Sequence, residues 1–224
     1  MTPRFHYLLY ILILLFVLIF GVFSCAKEED SAVKETSSSS GDGSTGGDGP
    51  KTFVGVGYYG TIVTSADLEN LDVRTSGTTE QLNAITFGNG VFVVVGNYGT
   101  TLISSDNGAT WSSTYTGNTS HLNSIAYGNG TFAAVGNSGS ILISTDNGSN
   151  WTAKSSGIGS TLNSIIYADK KFISVGSSAT IISSSDSGRT WTSKSSGTST
   201  NFHGITHGLN LFVVSGENKS VFTS

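Results

Sequence analysis

From residue 53 onward, apolar and polar positions follow a pattern that renews itself. Leu82, Leu122, Leu162 and Phe202 stand 40 residues apart, as do Phe92, Phe132, Phe172 and Phe212, and Trp111, Trp151 and Trp191. Within each period the apolar residues come in short runs bounded by Gly, Asn and Ser, which predicts strands and tight turns. The unit that starts at Leu122 resolves into a strand over 122–127, a hairpin turn at Gly128-Asn129-Gly130, and a strand over 131–135. A second turn at Asn137-Ser138-Gly139 leads to a strand over 140–144, and a strand over 151–154 follows the link 145–150. Four antiparallel strands with short links make one propeller blade, and a strand-built period near 40 points to the same architecture.

The end units are incomplete. The first begins at its second strand, with Phe53; it keeps Ser65 and Asp67, and Leu71 is its nearest counterpart to the tryptophan. The last predicts strands over 202–207, 211–215 and 220–223 and no fourth. The expected fold is therefore all-β, a β-propeller of about five four-stranded antiparallel blades, with eighteen strands. Because an open ring leaves edges prone to pairing, closure is expected. It would come from two incomplete blades meeting, from a partner chain through self-association, or from further sequence.

The link between the third and fourth strands carries the most specific pattern. Ser104, Asp106, Gly108 and Trp111 recur as Ser144, Asp146, Gly148 and Trp151, and again as Ser184, Asp186, Gly188 and Trp191. This S-x-D-x-G-x-x-W run resembles the Asp-box (BNR) repeat family over about Phe53 to Ser224. The local physics agrees: a carboxylate that accepts backbone N–H groups closes a turn, glycine permits a positive φ, and an indole offers a large apolar body to pack beside a sheet. The resemblance implies a structural role for these residues and no catalytic one.

Ahead of the repeats, Arg4 precedes an almost unbroken apolar run from Tyr7 to Phe23, which ends at Ser24 and the single cysteine, Cys25. This resembles a bacterial lipoprotein signal, which implies cleavage before Cys25, acylation of its thiol and export. The protein would then sit on the outer membrane or cell surface. An uncleaved anchor is the other reading, since 17 apolar residues reach the low end of a spanning length. Residues 25–50 are acidic and rich in Ser and Gly, with little apolar surface to offset the entropy of ordering. The expected division is a signal over 1–24, a disordered tether over 25–50 and the propeller over 51–224.

Composition narrows the function. Charged residues are only 12% of the chain and the net charge is −4, so no basic footprint exists for nucleic acid. One cysteine excludes an internal disulfide and a cysteine-built metal site. Gly55-Val56-Gly57-Tyr58-Tyr59-Gly60 matches G-x-G-x-x-G, but a strand follows it in place of the helix whose N-terminus would cradle phosphate. His203 and His207 share a strand face at about 13 Å, too far apart for one metal ion. Neither a cofactor nor a metal is expected.

The Asp-box resemblance brings sialidases into view. That family implies three substrate-binding arginines, a Tyr–Glu pair and an Asp acid/base. Beyond the signal only Arg74 and Arg189 remain, so a sialidase of the usual kind is excluded.

The face away from the boxes is the place to look for a ligand. It collects the turns between second and third strands and the links between units, where Tyr58, Tyr59, Tyr98, Glu80, His121, Glu217 and Lys219 stand. The units differ there while their strands stay alike. Asn83, Asn123 and Asn163 repeat beside the leucines, which points to an internal hydrogen bond.

The reading is an exported, lipid-anchored, non-catalytic propeller that binds a protein or a glycan. More loosely it resembles the photosystem II assembly-factor-like propellers, which implies a scaffold role. The alternatives are a glycan-processing hydrolase or lyase, which would need acids such as Glu80 and Glu217 to converge, and a truncated remnant of a longer propeller.

Overall fold

The computed structural model describes residues 52–223 together with the backbone of Ser24–Lys27. Five antiparallel sheets follow one another along the chain. The first holds β1 (Ser24–Lys27), β2 (Phe53–Val56), β3 (Ile62–Ser65) and β4 (Asp72–Arg74). The second holds β5 (Leu82–Gly88), β6 (Val91–Gly96), β7 (Thr101–Ser104) and β8 (Ser112–Thr114). The third runs through β9 (Leu122–Gly128), β10 (Thr131–Gly136), β11 (Ile141–Ser144) and β12 (Thr152–Lys154). The fourth runs through β13 (Leu162–Ala168), β14 (Lys171–Gly176), β15 (Thr180–Ser184) and β16 (Thr192–Lys194). The fifth has three strands among the described residues: β17 (Phe202–Gly208), β18 (Leu211–Gly216) and β19 (Val221–Thr223). Each sheet pairs in chain order, and the first strands of successive sheets lie against one another, β1 to β5 to β9 to β13 to β17. This is a β-propeller.

The repeat period explains the core. Phe92, Phe132, Phe172 and Phe202 are fully or almost fully buried, as are Leu82, Leu122 and Leu162. All six residues of β6 and all six of β10 are buried, because each sheet is covered on both faces by its neighbours. That explains why these strands read as continuous runs and not as an apolar–polar alternation. Asn89 and Gly90, and likewise Asn129 and Gly130, take the two positive φ values of a tight hairpin turn.

Two expectations are corrected here. The first sheet does not begin at Phe53: Ser24–Lys27 supplies its inner strand, with Cys25 opposite Gly55 and Lys27 opposite Phe53. Residues 25–27 therefore belong to the propeller and not to a disordered tether. The physical reason is the inner edge of β2, whose Val54 and Val56 are fully buried in the interface with the second sheet and whose backbone needs a partner. The count among the described residues is nineteen strands. The second correction concerns Leu71, which does not replace the missing tryptophan: it is 59% exposed, because no described sheet precedes the first for it to pack against.

The expected signal over residues 1–23 and the remaining tether over 28–50 lie outside the described residues. Among the described residues no helix is long and apolar enough to cross a membrane. The first and fifth sheets share no substantial interface there, and the ring is open between them. Strand β18 accordingly has one buried residue where β6 and β10 have six.

Candidate functional site

The two ends of the propeller are built differently. At one end the box turns lock to the neighbouring hairpins. In the third sheet the Ser144 hydroxyl donates to Asp146 Oδ1 at 2.8 Å and accepts from the Gly148 N–H at 2.9 Å. The Asp146 carboxylate also accepts from Asn150, whose backbone N–H donates to Oδ1 and whose side-chain amide donates to Oδ2. Ser104–Asp106 and Ser184–Asp186 repeat the arrangement, with Thr110 and Thr190 in place of Asn150. Hydrogen bonds to the charged form hold these carboxyls below the usual range, those from the threonine or asparagine contributing most; Asp106 falls to about 2. Such acids are spent on the turn and cannot serve as proton donors at neutral pH.

The turn delivers an indole to the sheet before it. Trp111 packs into the interface of the first and second sheets, Trp151 into that of the second and third, and Trp191 into that of the third and fourth. The Trp111 and Trp191 N–H groups donate to the carbonyls of Gly108 and Gly188 at 3.0 and 3.1 Å. Across the interface, the Asn89 side chain donates to Asn147 and that of Asn129 to Ser187, each at 2.8 Å. This end is a structural fastening.

The opposite end carries the sequence-selected residues. Tyr59 and Tyr98 occupy the centre of equivalent turns, with φ of 55° and 53°. The left-handed backbone aims the tyrosines outward: Tyr59 is 86% exposed and Tyr98 62%. Tyr58 lies 6.5 Å from Tyr59 between ring centroids, and Tyr98 lies 4.7 Å from His121, with the rings tilted by 48° and 56°. A shallow cleft beside Tyr59 is lined by Val73, Arg74, Thr75 and Thr78, and Arg74 is paired with Asp72 at 2.8 Å. Glu80 lies beside the first of these turns, where its carbonyl accepts from the Gly60 N–H. Far around the arc, Glu217 accepts from the Asn201 side chain at 2.9 Å, and Lys219 follows in the same turn with a φ of 61°.

The structure thus gathers Tyr58 with Tyr59, and Tyr98 with His121, and it places Glu80 between the first and second sheets and Glu217 in the fifth. No group of three metal-ligating side chains occurs among the described residues. Sequence reasoning passed over Asn118, whose side chain donates to Ser140 at 2.9 Å and ties one link to the next turn. A single polar residue in a Ser/Thr-rich link carries no sequence signal of that bond.

A propeller with one fastened end and one aromatic loop end is the class of protein that this geometry defines. No protein-family model matches the chain, and no curated protein matches it. Among solved structures it is similar to "YCF48 bound to D1 peptide", at 18% identity and a TM-score of 0.63, over 79% of this chain and 60% of that one. It is also similar to "YCF48 from Cyanidioschyzon merolae", at 17% identity and a TM-score of 0.61, over 77% of this chain and 62% of that one. The chain therefore spans about three-fifths of the length of these structures. At this identity the likeness establishes the propeller fold.

Proposed function

We propose that this protein is a non-catalytic scaffold whose loop end binds another protein. The observation that carries the proposal is the display of Tyr59 and Tyr98, both exposed, on matching left-handed turns. Aromatic side chains with few rotatable bonds are the residues that anchor protein contacts. The similar propeller "YCF48 bound to D1 peptide" supports the same reading. A glycan could stack on the same rings, and it is the second reading. The box aspartates are committed to their turns, which disfavours catalysis by them.

Attachment through Cys25 belongs to the proposal. In β1, Ser24 lies opposite Val56, immediately before the Tyr58 turn. The backbone of Cys25 therefore lies in the first sheet, opposite Gly55. Replacement Cys25→Ser should abolish lipid labelling; retained label would disprove acylation there.

Photo-crosslinking from a benzoylphenylalanine at position 98, with position 145 at the box end as control, tests the binding reading. A discrete protein adduct from position 98 alone is expected. Adducts only from position 145, or retention of the protein on a glycan array that Tyr59→Ala abolishes, would overturn it.

A further inference from the structure

Asparagine is followed by glycine four times, at Asn89-Gly90, Asn107-Gly108, Asn129-Gly130 and Asn147-Gly148. All of these residues have positive φ, between 49° and 82°. The four pairs therefore share sequence and backbone handedness, and they differ in what holds them. In the box turns the glycines are buried, and the Gly108 and Gly148 N–H groups donate to the Ser104 and Ser144 hydroxyls at 2.9 Å. At the tips of the β5–β6 and β9–β10 hairpins both residues of each pair are exposed. There the Gly90 and Gly130 N–H groups have no hydrogen-bond partner among the described residues.

That difference bears on a reaction of the asparagine side chain itself. The backbone nitrogen of the next residue attacks Cγ and gives up its proton as the new N–C bond forms. Nδ2 leaves as ammonia, and water opens the cyclic imide at either carbonyl to leave aspartate or isoaspartate. Glycine favours the attack because it places no Cβ beside the reacting atoms. The attacking nitrogen must be free and the turn must open. The hairpin tips meet both conditions, and the box turns meet neither.

The two exposed asparagines are also the clasps between sheets, Asn89 on Asn147 and Asn129 on Ser187. Their surroundings differ in charge. The cleft beside Asn129 is lined by Lys154 and Arg189 and by no acidic residue. Neither cation has an ion pair among the described residues. Asp186, next to Ser187, has its carboxylate occupied by Thr190 and Ser184. One unit earlier, the counterparts of Lys154 and Arg189 are Thr114 and Ser149.

We propose that Asn89 and Asn129 are sites of spontaneous deamidation, and that Lys154 and Arg189 take up the charge created at Asn129. At Asn129 the aspartate product turns a neutral clasp between the third and fourth sheets into a charge-assisted one. At Asn89 the same product gains no such cation, and the clasp between the second and third sheets is weakened. These sites lie at the box end, and the proposal is independent of the tyrosines at the loop end.

The full chain is incubated in heavy-oxygen water at neutral pH and physiological temperature, and its chymotryptic peptides, which separate the four pairs, are followed by mass spectrometry. Label should enter at Asn89 and Asn129 about tenfold faster than at Asn107 and Asn147, the factor that a hydrogen bond on the attacking nitrogen represents. Equal rates at the four pairs, faster labelling in the box turns, or no label at Asn89 and Asn129 while the urea-unfolded chain takes it up, would overturn the proposal. The charge is tested apart from the reaction. At low salt Asn129→Asp should unfold at a higher temperature than Asn89→Asp, and adding the exposed substitution Arg189→Gln to both should narrow the gap. Equal midpoints, or a gap that Arg189→Gln leaves unchanged, would overturn the role of the cations.

Discussion

The side-chain amide of Asn123 donates to the carbonyl of Leu162, 39 residues further on, at 2.9 Å. The same bond runs from Asn83 to Leu122 at 2.8 Å and from Asn163 to Phe202 at 2.6 Å. Asn83 and Asn123 each spend a second amide hydrogen within their own sheet, on Asn97 and Asn137. The inner strands of neighbouring sheets are not paired by a backbone ladder, so these amides stitch them together, along with the Ser124 and Ser164 hydroxyls, which accept from the N–H groups of Ile165 and Ile205.

Replacing Asn123 by alanine removes both bonds and leaves the Leu162 carbonyl without that donor. A loss of about 1–3 kcal/mol is expected, read as a lowered urea midpoint. His203, the exposed fourth counterpart, has no following described sheet, and His203→Ala should change the midpoint little. Equal effects would remove the stitching role.

Close approach between sheets makes a second test. A Cβ on Gly128 would sit 2.0 Å from the Tyr167 ring, and one on Gly88 would sit 2.1 Å from that of Tyr127, whereas one on Gly208 meets nothing within 4 Å. Gly128→Ala should cost about 1–3 kcal/mol by overpacking, and Gly208→Ala should be near neutral. One unit before Gly208 the pair becomes Ala168 and His207, so the smaller ring coincides with the one unit that carries a methyl group there.

The indoles are half-buried wedges. Trp151→Ala opens the interface of the second and third sheets, and a loss of about 2–4 kcal/mol is expected, toward the low end of large core truncations. Tyr98→Ala removes an exposed ring and should shift thermal unfolding far less. Similar shifts would mean that the indole does not pack the interface.

Acid should loosen the boxes. The carboxyls of Asp106, Asp146 and Asp186 have pKa values lowered by folding. Their stabilisation is complete above the unfolded value of about 4 and is lost as pH falls through the folded values, so unfolding should become easier between about pH 4 and 2. A triple Asp→Asn variant should show a flatter dependence over that window in acid titrations followed by tryptophan fluorescence. An unchanged slope would place the sensitivity elsewhere.

The strand rhythm, the box turns, the hairpin turns and the asparagine stitches were legible because each unit restates them. Local chemistry, a carboxylate beside free N–H groups or glycine at a positive φ, needs only neighbours in sequence. Leu71 and the tether misled for the same reason: a repeat pattern records what a position does when flanked on both sides, and the first sheet is flanked on one.

The chain order by itself determined the propeller, its period and the division into a fastened end and a loop end, since those depend on contacts that recur every 40 residues. Only the tertiary structure decided that Ser24–Lys27 completes the first sheet, that the first and fifth sheets share no substantial interface among the described residues, and that a cleft lies between the fourth and fifth sheets. These are properties of edges. An edge is satisfied by whatever segment reaches it in space, and distance along the chain does not say which segment that is.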